Sequence, residues 1–465
     1  MALRGRIFRD RGDAGGGSDG GGEAPITPSA DETAAAAAAA YQELKSRVHN
    51  QLFDHLDLTR LSEVSQERIA GDIRLLTRRI LSEEKALLTQ EERAQIVEEI
   101  QHEVFGLGPL EPLLKDPSVT DILVNGYDKI WVERRGKLEK TVARFKDNDH
   151  LMRIITKIIS GVGRRIDELT PFIDARLPDG SRVNAIIPPL AIDGPSVSIR
   201  RFSVDPFTAE DLVQMGSLTD RTVELLRMVV QGRLNVLISG GTGVGKTTLL
   251  NVMSSFIPAG ERIVTIEDSA ELQLRQDHIV RLETRPPNVE GKGQVTQREL
   301  VINSLRMRPD RIIVGEVRGG EALDMLQAMN TGHEGSLTTV HANSPRDAIT
   351  RLETMTAMAG VDLPISVIRQ QISSAIDVVI QLSRQSDGSR KLVSLMEITG
   401  SEGDVLSTSE IFTFEQRGVS PEGYVIGDIV PTGVAPRFLD KLRVKGIRIP
   451  PGLFTPDATA QMRRR

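Results

Sequence analysis

Apolar residues return at helical spacing three times between residues 36 and 105. Leu44, Val48, Leu52 and Leu56 form one series; Ile69, Ile73, Leu76 and Ile80 a second; Val97, Ile100 and Val104 a third. Each spacing gathers its series on one helical face. Thr89, with Glu92 three residues on, supplies a capping box for the third helix. The alanine run 34–40 starts the first helix, because alanine has the best helix propensity. A small helical module over 36–105 is the expectation. Ahead of it, residues 1–35 are rich in Gly, Ser, Asp and Pro, cannot bury a core, and read as disordered.

The period changes after "GLGPLEPLL". Across 106–204, "DILVNG" and "KIWVERRGK" read as short strands and "HLMRIITKIISGVG" as an amphipathic helix. "DARLPDGSRVNAIIPP" reads as two arginine-bearing extended segments around a Pro-Asp-Gly turn, and "SVSIRRF" as a further strand, which together make an α+β domain. The polar passage "DPFTAEDLVQMGSLTD", 205–220, reads as a linker. From 221 to 455 apolar strands alternate with helix-forming runs, the pattern of a doubly wound α/β sheet. That region closes on "DVVIQLSRQSDGSRKLVSLMEI", two alternating strands around an Asp-Gly turn, which is a hairpin signal. Residues 456–465 read as a flexible tail, and no internal repeat is evident.

Composition narrows the setting. The 465-residue chain is 39% hydrophobic, and no apolar run approaches the roughly 18 residues a membrane span needs. The N-terminus has no apolar core and so does not read as a secretory signal. Zero cysteines exclude a disulfide framework and, with the missing signal, point to the cytoplasm. A net charge of −6 and 3% aromatic residues offer neither a basic track nor stacking platforms, so nucleic acid is not an expected partner.

The chemistry sits at strand tips. "NVLISGGTGVGKTTLL" fits G-x-x-x-x-G-K-[ST] from Gly240 to Thr247, behind an apolar strand and ahead of a helix. Gly240, Gly241, Thr242, Gly243, Val244 and Gly245 let successive backbone N–H groups face phosphates, with Thr248 next in the helix. Lys246 would neutralise the β- and γ-phosphates and the Thr247 hydroxyl would ligate Mg²⁺. Two further strands end in acids: "RIVTIED" in Glu267 and Asp268, "RIIVGEVRGGEA" in Glu316. Ligands of such sheets bind beyond the carboxyl ends of the strands. Glu316 is long enough to hold Mg²⁺ through a water or to polarise the attacking water, and Glu267 is a second metal candidate; helix capping or loop solvation is the plainer alternative for each acid. "MNTGHEGSLTTVHANS" carries His333 and His341 eight residues apart. A zinc-protease helix needs a spacing of four, and "GSLTTVHA" reads instead as the next strand. His341 then arrives at the edge holding Gly245 and Glu316, where it can bond a phosphate oxygen, while His333 lies in the loop leading in. A buried histidine satisfied by a backbone carbonyl remains the other reading of each.

These segments, with "LRMRPDRIIVGEVRGGEALDMLQAMNTGHEGSLTTVHANSPRDAITRLETM", resemble the secretion-ATPase superfamily of type II and type IV secretion and type IV pilus motors. Upstream "GLGPLEPLLKDPSVTDILVNG" and "VGRRIDELTPFIDARLPDGSRVNAIIPPLAIDGPSVSIRRF" look closest to its CpaF/TadA branch, the ATPases of tight-adherence (Flp) pilus assembly. The likeness covers roughly residues 100 to 455. It implies a cytoplasmic, Mg²⁺-dependent ATPase, usually a hexameric ring, with an N-terminal domain over a RecA-like P-loop domain and attachment to the inner membrane through a platform protein. Carried over by motif, Glu267 and Asp268 fall in the family's acidic box, Glu316 at its catalytic glutamate, and His333 and His341 in its histidine box, implying γ-phosphate sensing. The family also supplies N-terminal arginines to the nucleotide; Arg176, Arg182 and Arg200 are the candidates, with Arg165 and Arg201 close by in sequence. The leading expectation is a motor for pilus assembly. The alternatives are a type IV secretion ATPase exporting DNA or protein, and a nucleotide-dependent switch of low turnover.

Overall fold

The computed structural model describes residues 66–84, 88–134, 136–201, 207–287, 291–402 and 405–456, with positions 41, 43–45, 47, 48, 51 and 52. The expected 1–35 tail, the alanine run, Leu56 and positions 457–465 lie outside the described residues. The chain divides into two compact units, Met1–Phe202 and Ser203–Arg465.

In the first unit, helices Gln66–Glu83 and Gln90–Phe105 close a small core in which Leu44, Val48, Leu52, Ile73, Ile80, Val97 and Ile100 are buried. Thr89 caps the second of these: its side chain accepts from the Glu92 N–H, and the Glu92 carboxylate accepts from the Thr89 N–H. Six antiparallel strands follow: β1 Val119–Asn125, β2 Ile130–Arg134, β3 Lys137–Lys140, β4 Phe172–Arg176, β5 Arg182–Ile186 and β6 Ser196–Arg200, in the order β3-β2-β1-β6-β5-β4. Helix Asn148–Gly161 buries Leu151, Ile154, Ile155, Ile158 and Ile159 in the same apolar cluster as Ile122, Val124, Val183 and Val197 of the sheet. Glu103 ties the helical module to that helix, with His150 Nε2 at 2.7 Å and Lys45 Nζ at 3.1 Å from its carboxylate. Burial alone would raise Glu103; His150 and Lys45 more than offset it and hold the carboxyl down at about 2.

The second unit is built on nine strands: β7 Val236–Gly240, β8 Ile263–Glu267, β9 Ile279–Glu283, β10 Arg311–Val314, β11 Leu337–His341, β12 Val378–Arg384, β13 Arg390–Glu402, β14 Val405–Val419 and β15 Val425–Pro431. Their order is β15-β14-β13-β12-β7-β11-β10-β8-β9. From β12 to β9 all pairings are parallel, whereas β12 to β15 form an antiparallel meander. Strands β7, β8 and β10 are buried at every position, as a parallel sheet covered on both faces requires. Alternation then divides them between two cores. Val236, Ile238, Ile263 and Ile313 meet helices Asp220–Gln231 and Lys246–Ser254; Leu237, Val264, Ile312 and Val314 meet helices Glu321–Asn330, Pro345–Ala357 and Ile365–Ala375.

The stretch 205–220, described from 207, is more ordered than a linker. Thr208 and Asp211 form a capping box on helix Ala209–Gln214, and Ala209, Leu212 and Leu218 are buried in this unit's core. Its polar composition reflects caps and turns around three inward apolar positions.

Candidate functional site

β7 ends at Gly240, which is paired with His341 of β11 on one side and Leu382 of β12 on the other. A Cβ at Gly240 would stand 2.6 Å from Val244 Cγ2 and 2.8 Å from the Leu382 carbonyl oxygen, so only glycine fits. Gly243 and Gly245 turn the chain at φ 70° and 95°, the left-handed region that glycine enters without penalty. Helix Lys246–Ser254 starts immediately afterwards, so its first-turn N–H groups lack intrahelical acceptors at the sheet's carboxyl edge. Lys246 Nζ donates to the carbonyls of Gly240 at 3.0 Å and Gly241 at 2.9 Å. Val244 is buried beneath the loop, Thr242 is exposed, and Thr247 and Thr248 are half-buried in the first helical turn.

Three neighbouring strands bring acids and a histidine to the same edge. Glu267, the last residue of β8, is 3% exposed. Its Oε2 accepts from the backbone N–H of Glu271 at 2.7 Å and Leu272 at 2.9 Å. Its Oε1 is buried with no hydrogen-bond partner among the described residues. Burial pushes this carboxyl up to about 7, against the two backbone bonds and Arg281, which favour the charged form. Glu316 follows β10 by two residues, with one oxygen 4.0 Å from His341 Nδ1. His341 ends β11; burial and then Lys246 lower its pKa while Glu316 opposes them, which favours the neutral ring.

The structure does not bring His333 to this edge. β11 runs parallel to β7, so the loop carrying His333 enters at the amino end, about 16 Å away by strand rise. His333 instead closes helix Glu321–Asn330, with its backbone N–H and ring Nδ1 both 3.3 Å from the Ala328 carbonyl.

In the first unit, Arg176, Arg182 and Arg200 form one cross-strand row, since Arg176 pairs in register with Arg182, and Arg182 with Arg200. Residues so paired share a sheet face. Arg200 Nε donates to Asp121 Oδ1 at 3.3 Å. Arg201 is spent on the backbone carbonyls of Asp116 and Val119, and Arg165 pairs with Asp167 at 2.6 Å. The register thus groups Arg176, Arg182 and Arg200 in one row, to which Arg165 and Arg201 do not belong.

Two further arginines belong to the site's surroundings. Arg318 donates to Glu316 Oε2 through Nε at 2.9 Å and Nη2 at 2.6 Å, and to Asp268 Oδ2 through Nη1 at 2.8 Å. Arg390, the first residue of β13, donates from Nε to the Gly243 carbonyl at 2.8 Å. The two-residue spacing of Arg318 from Glu316 was a usable signal. Nothing local marks Arg390, because the hairpin delivers it from more than a hundred residues away.

These residues fit a polyphosphate with its Mg²⁺. The backbone approaches closely where a Cβ could not stand, a helix opens at the loop, and Glu267 keeps an uncommitted oxygen at the same carboxyl edge, on a strand separated from β7 by β11 and β10. Thr247, Glu316 and Glu267 are the side chains that could hold the cation.

A family model described as "Type II/IV secretion system protein" matches residues 103–418. A Mycobacterium tuberculosis protein provisionally named as a conjugal transfer protein is 38% identical over 337 residues, covering 71% of this chain and 95% of the relative. The type IV secretion system protein VirB11 of Brucella suis is 34% identical over 305 residues, 60% of this chain and 84% of the relative. The crystal structure of the VirB11 ATPase from the Brucella suis type IV secretion system, in complex with sulphate, is 32% identical; it covers 62% of this chain and 95% of that one, with a TM-score of 0.34.

Proposed function

This chain belongs to the type II/IV secretion system protein family, and from that premise we propose that it is a Mg²⁺-dependent ATPase whose turnover drives export of DNA or protein through a type IV secretion machine. The observation that supports this reading most is the convergence of the P-loop, Glu267, Glu316 and His341 on the carboxyl edge of four adjacent parallel strands. Lys246 and the first-turn N–H groups bind the β- and γ-phosphates. Thr247, with Glu316 or Glu267, holds Mg²⁺, which when bound neutralises charge on the phosphate oxygens. Glu316 orients the attacking water and accepts its proton, and neutral His341 hydrogen-bonds the γ-phosphate. Arg176, Arg182 and Arg200 are the proposed source of positive charge from the first unit; one such arginine contributes about 10³-fold or more.

Six copies in a ring are proposed, working at the inner face of the membrane through platform proteins. No helix among the described residues is long and apolar enough to cross a membrane. The conjugal-transfer and type IV secretion names of the relatives favour export over pilus assembly. Tight-adherence pilus assembly is kept as a second reading because the segments after residue 100, and the helical core before them, suit that branch.

The test is ATP hydrolysis against protein concentration, with particle mass from light scattering, for wild type and Lys246→Ala. Turnover that rises as a hexamer-sized particle forms, and is abolished by Lys246→Ala, supports the motor. Negligible turnover in a monomer replaces it with a nucleotide switch. Deletion in the host separates the two cargo readings: lost export with intact pili supports secretion, and lost pili with intact export supports the pilus motor.

A further inference from the structure

The Arg318 guanidinium joins the tips of two adjacent strands. Two of its N–H groups go to a single oxygen of Glu316, and a third goes to Asp268, the residue after β8. Only Glu316 Oε1 is left facing His341, which is itself in register with Gly240 of the P-loop. The row Asp268–Arg318–Glu316–His341 thus runs along the carboxyl edge from β8 past β10 to β11, one strand short of β7. A glutamate two residues beyond its strand has three side-chain torsions to fix, and the strand itself fixes none of them. The fork supplies that restraint from one side: it holds Oε2 and leaves Oε1 to the site.

We infer that Arg318 is a positioning residue that aims the Glu316 carboxylate, using Asp268 as its anchor on the neighbouring strand. The inference rests on the ATPase reading above. Its backbone N–H donates to Glu321 Oε1 at 2.7 Å, a bond that side-chain substitution leaves in place. A lysine could keep the charge but not the fork, because its three N–H groups sit on one nitrogen and lack the planar spread that reaches Glu316 and Asp268 together.

The experiment measures kcat and KM for Mg-ATP hydrolysis in wild type, Arg318→Ala, Arg318→Lys, Asp268→Asn, Glu316→Gln and the Arg318→Ala/Glu316→Gln pair. Affinity for a fluorescent ADP analogue and melting temperature are measured alongside. Arg318→Ala should lose about tenfold or more in kcat with KM and ADP affinity held within about twofold, the signature of lost positioning rather than lost binding. Arg318→Lys and Asp268→Asn should fall between it and wild type. The double variant should be no slower than Glu316→Gln alone, because Arg318 then has nothing to aim. An unchanged kcat in Arg318→Ala overturns the inference, as does a drop matched by weaker ADP binding, which would make Arg318 a nucleotide ligand. Additive losses in the pair also overturn it. If Arg318→Ala fails to fold, the lysine and asparagine variants decide by the same criteria. Wild-type chain that binds but does not hydrolyse ATP removes the ATPase reading and this inference together, whereas active wild type beside an indifferent Arg318→Ala removes this inference alone.

Discussion

The two edges of the nine-stranded sheet carry similar residues and treat them oppositely. At the amino edge, Arg311 is fully buried, bonds Glu261 at 2.5 Å and donates to the Gly335 carbonyl at 3.1 Å, while Glu261 also receives Arg233 at 3.2 Å. Asn235 closes the same edge, donating to the Ala375 carbonyl and accepting from the N–H groups of Gly335 and Ser336. His333 lies at this edge too, on a backbone carbonyl. At the carboxyl edge, Glu267 keeps a buried oxygen without a partner among the described residues, and one arginine is divided between Asp268 and Glu316. A network that is fully paired holds strands together and has no capacity left over. A network left short of pairing costs stability, and here it faces the P-loop.

Substitutions can break or sharpen that contrast. The largest expected effect is at the carboxyl edge: Glu316→Gln should lower kcat by about 100-fold or more while ATP still binds, as removal of a general base does; phosphate release at the wild-type rate would exclude Glu316 from the chemistry. Next, Arg311→Leu should cost up to about 3 kcal/mol, since it leaves the part-buried Glu261 with Arg233 as its remaining cationic partner among the described residues and the Gly335 carbonyl without its donor. Urea denaturation reads this, and an unchanged midpoint would show that Arg233 alone satisfies Glu261. Third, Glu267 should set a pH slope. Its folded pKa, about 7, lies above the ordinary 4.5, so between these values the folded chain keeps a proton that the unfolded chain has released. The contribution of Glu267 is therefore full below pH 4.5 and is lost as pH rises from there through 7, by on the order of 3 kcal/mol, while Glu103, held down at about 2, acts in the opposite sense at lower pH. Glu267→Gln should flatten that slope and leave the protein more stable than wild type at pH 8, whereas an unchanged slope would assign it to another group. The smallest effect belongs to His333→Ala: about 1 kcal/mol or less in stability and no change in the kcat of ATP hydrolysis, with His341→Ala slowing turnover. Equal losses of turnover in both would erase the distinction between the edges.

Much of this was legible from the residues. The P-loop, the strand before it and the helix after it are encoded within sixteen consecutive residues, "NVLISGGTGVGKTTLL", where local glycine chemistry decides the geometry. Period also gave the helices Gln66–Glu83 and Gln90–Phe105 with their buried apolar series, and period with an Asp-Gly turn gave the β12–β13 hairpin. His333 shows where a reading by neighbourhood falls short. Two histidines flanking a five-residue strand must stand at opposite ends of it, so the spacing held the answer once strand direction was considered. Arg390 was beyond reach, because its contact with Gly243 is made by a hairpin distant in sequence. The helix at 209–214 was hidden by the polar residues that cap it.

Gly335 and Arg311 carry a consequence for how such chains can diverge. Gly335 has a left-handed φ of 84°, and a Cβ built on it would fall within the Arg311 guanidinium. The arginine occupies the volume that any side chain at 335 would need. Across lineages the two positions should therefore vary as a pair: a side chain at 335 presupposes loss of the arginine, while a retained arginine forbids one. Occupancy of 335 is thus limited by the volume the arginine fills as well as by the backbone, and loss of Arg311 alone should show as lower stability of the folded chain before any loss of turnover.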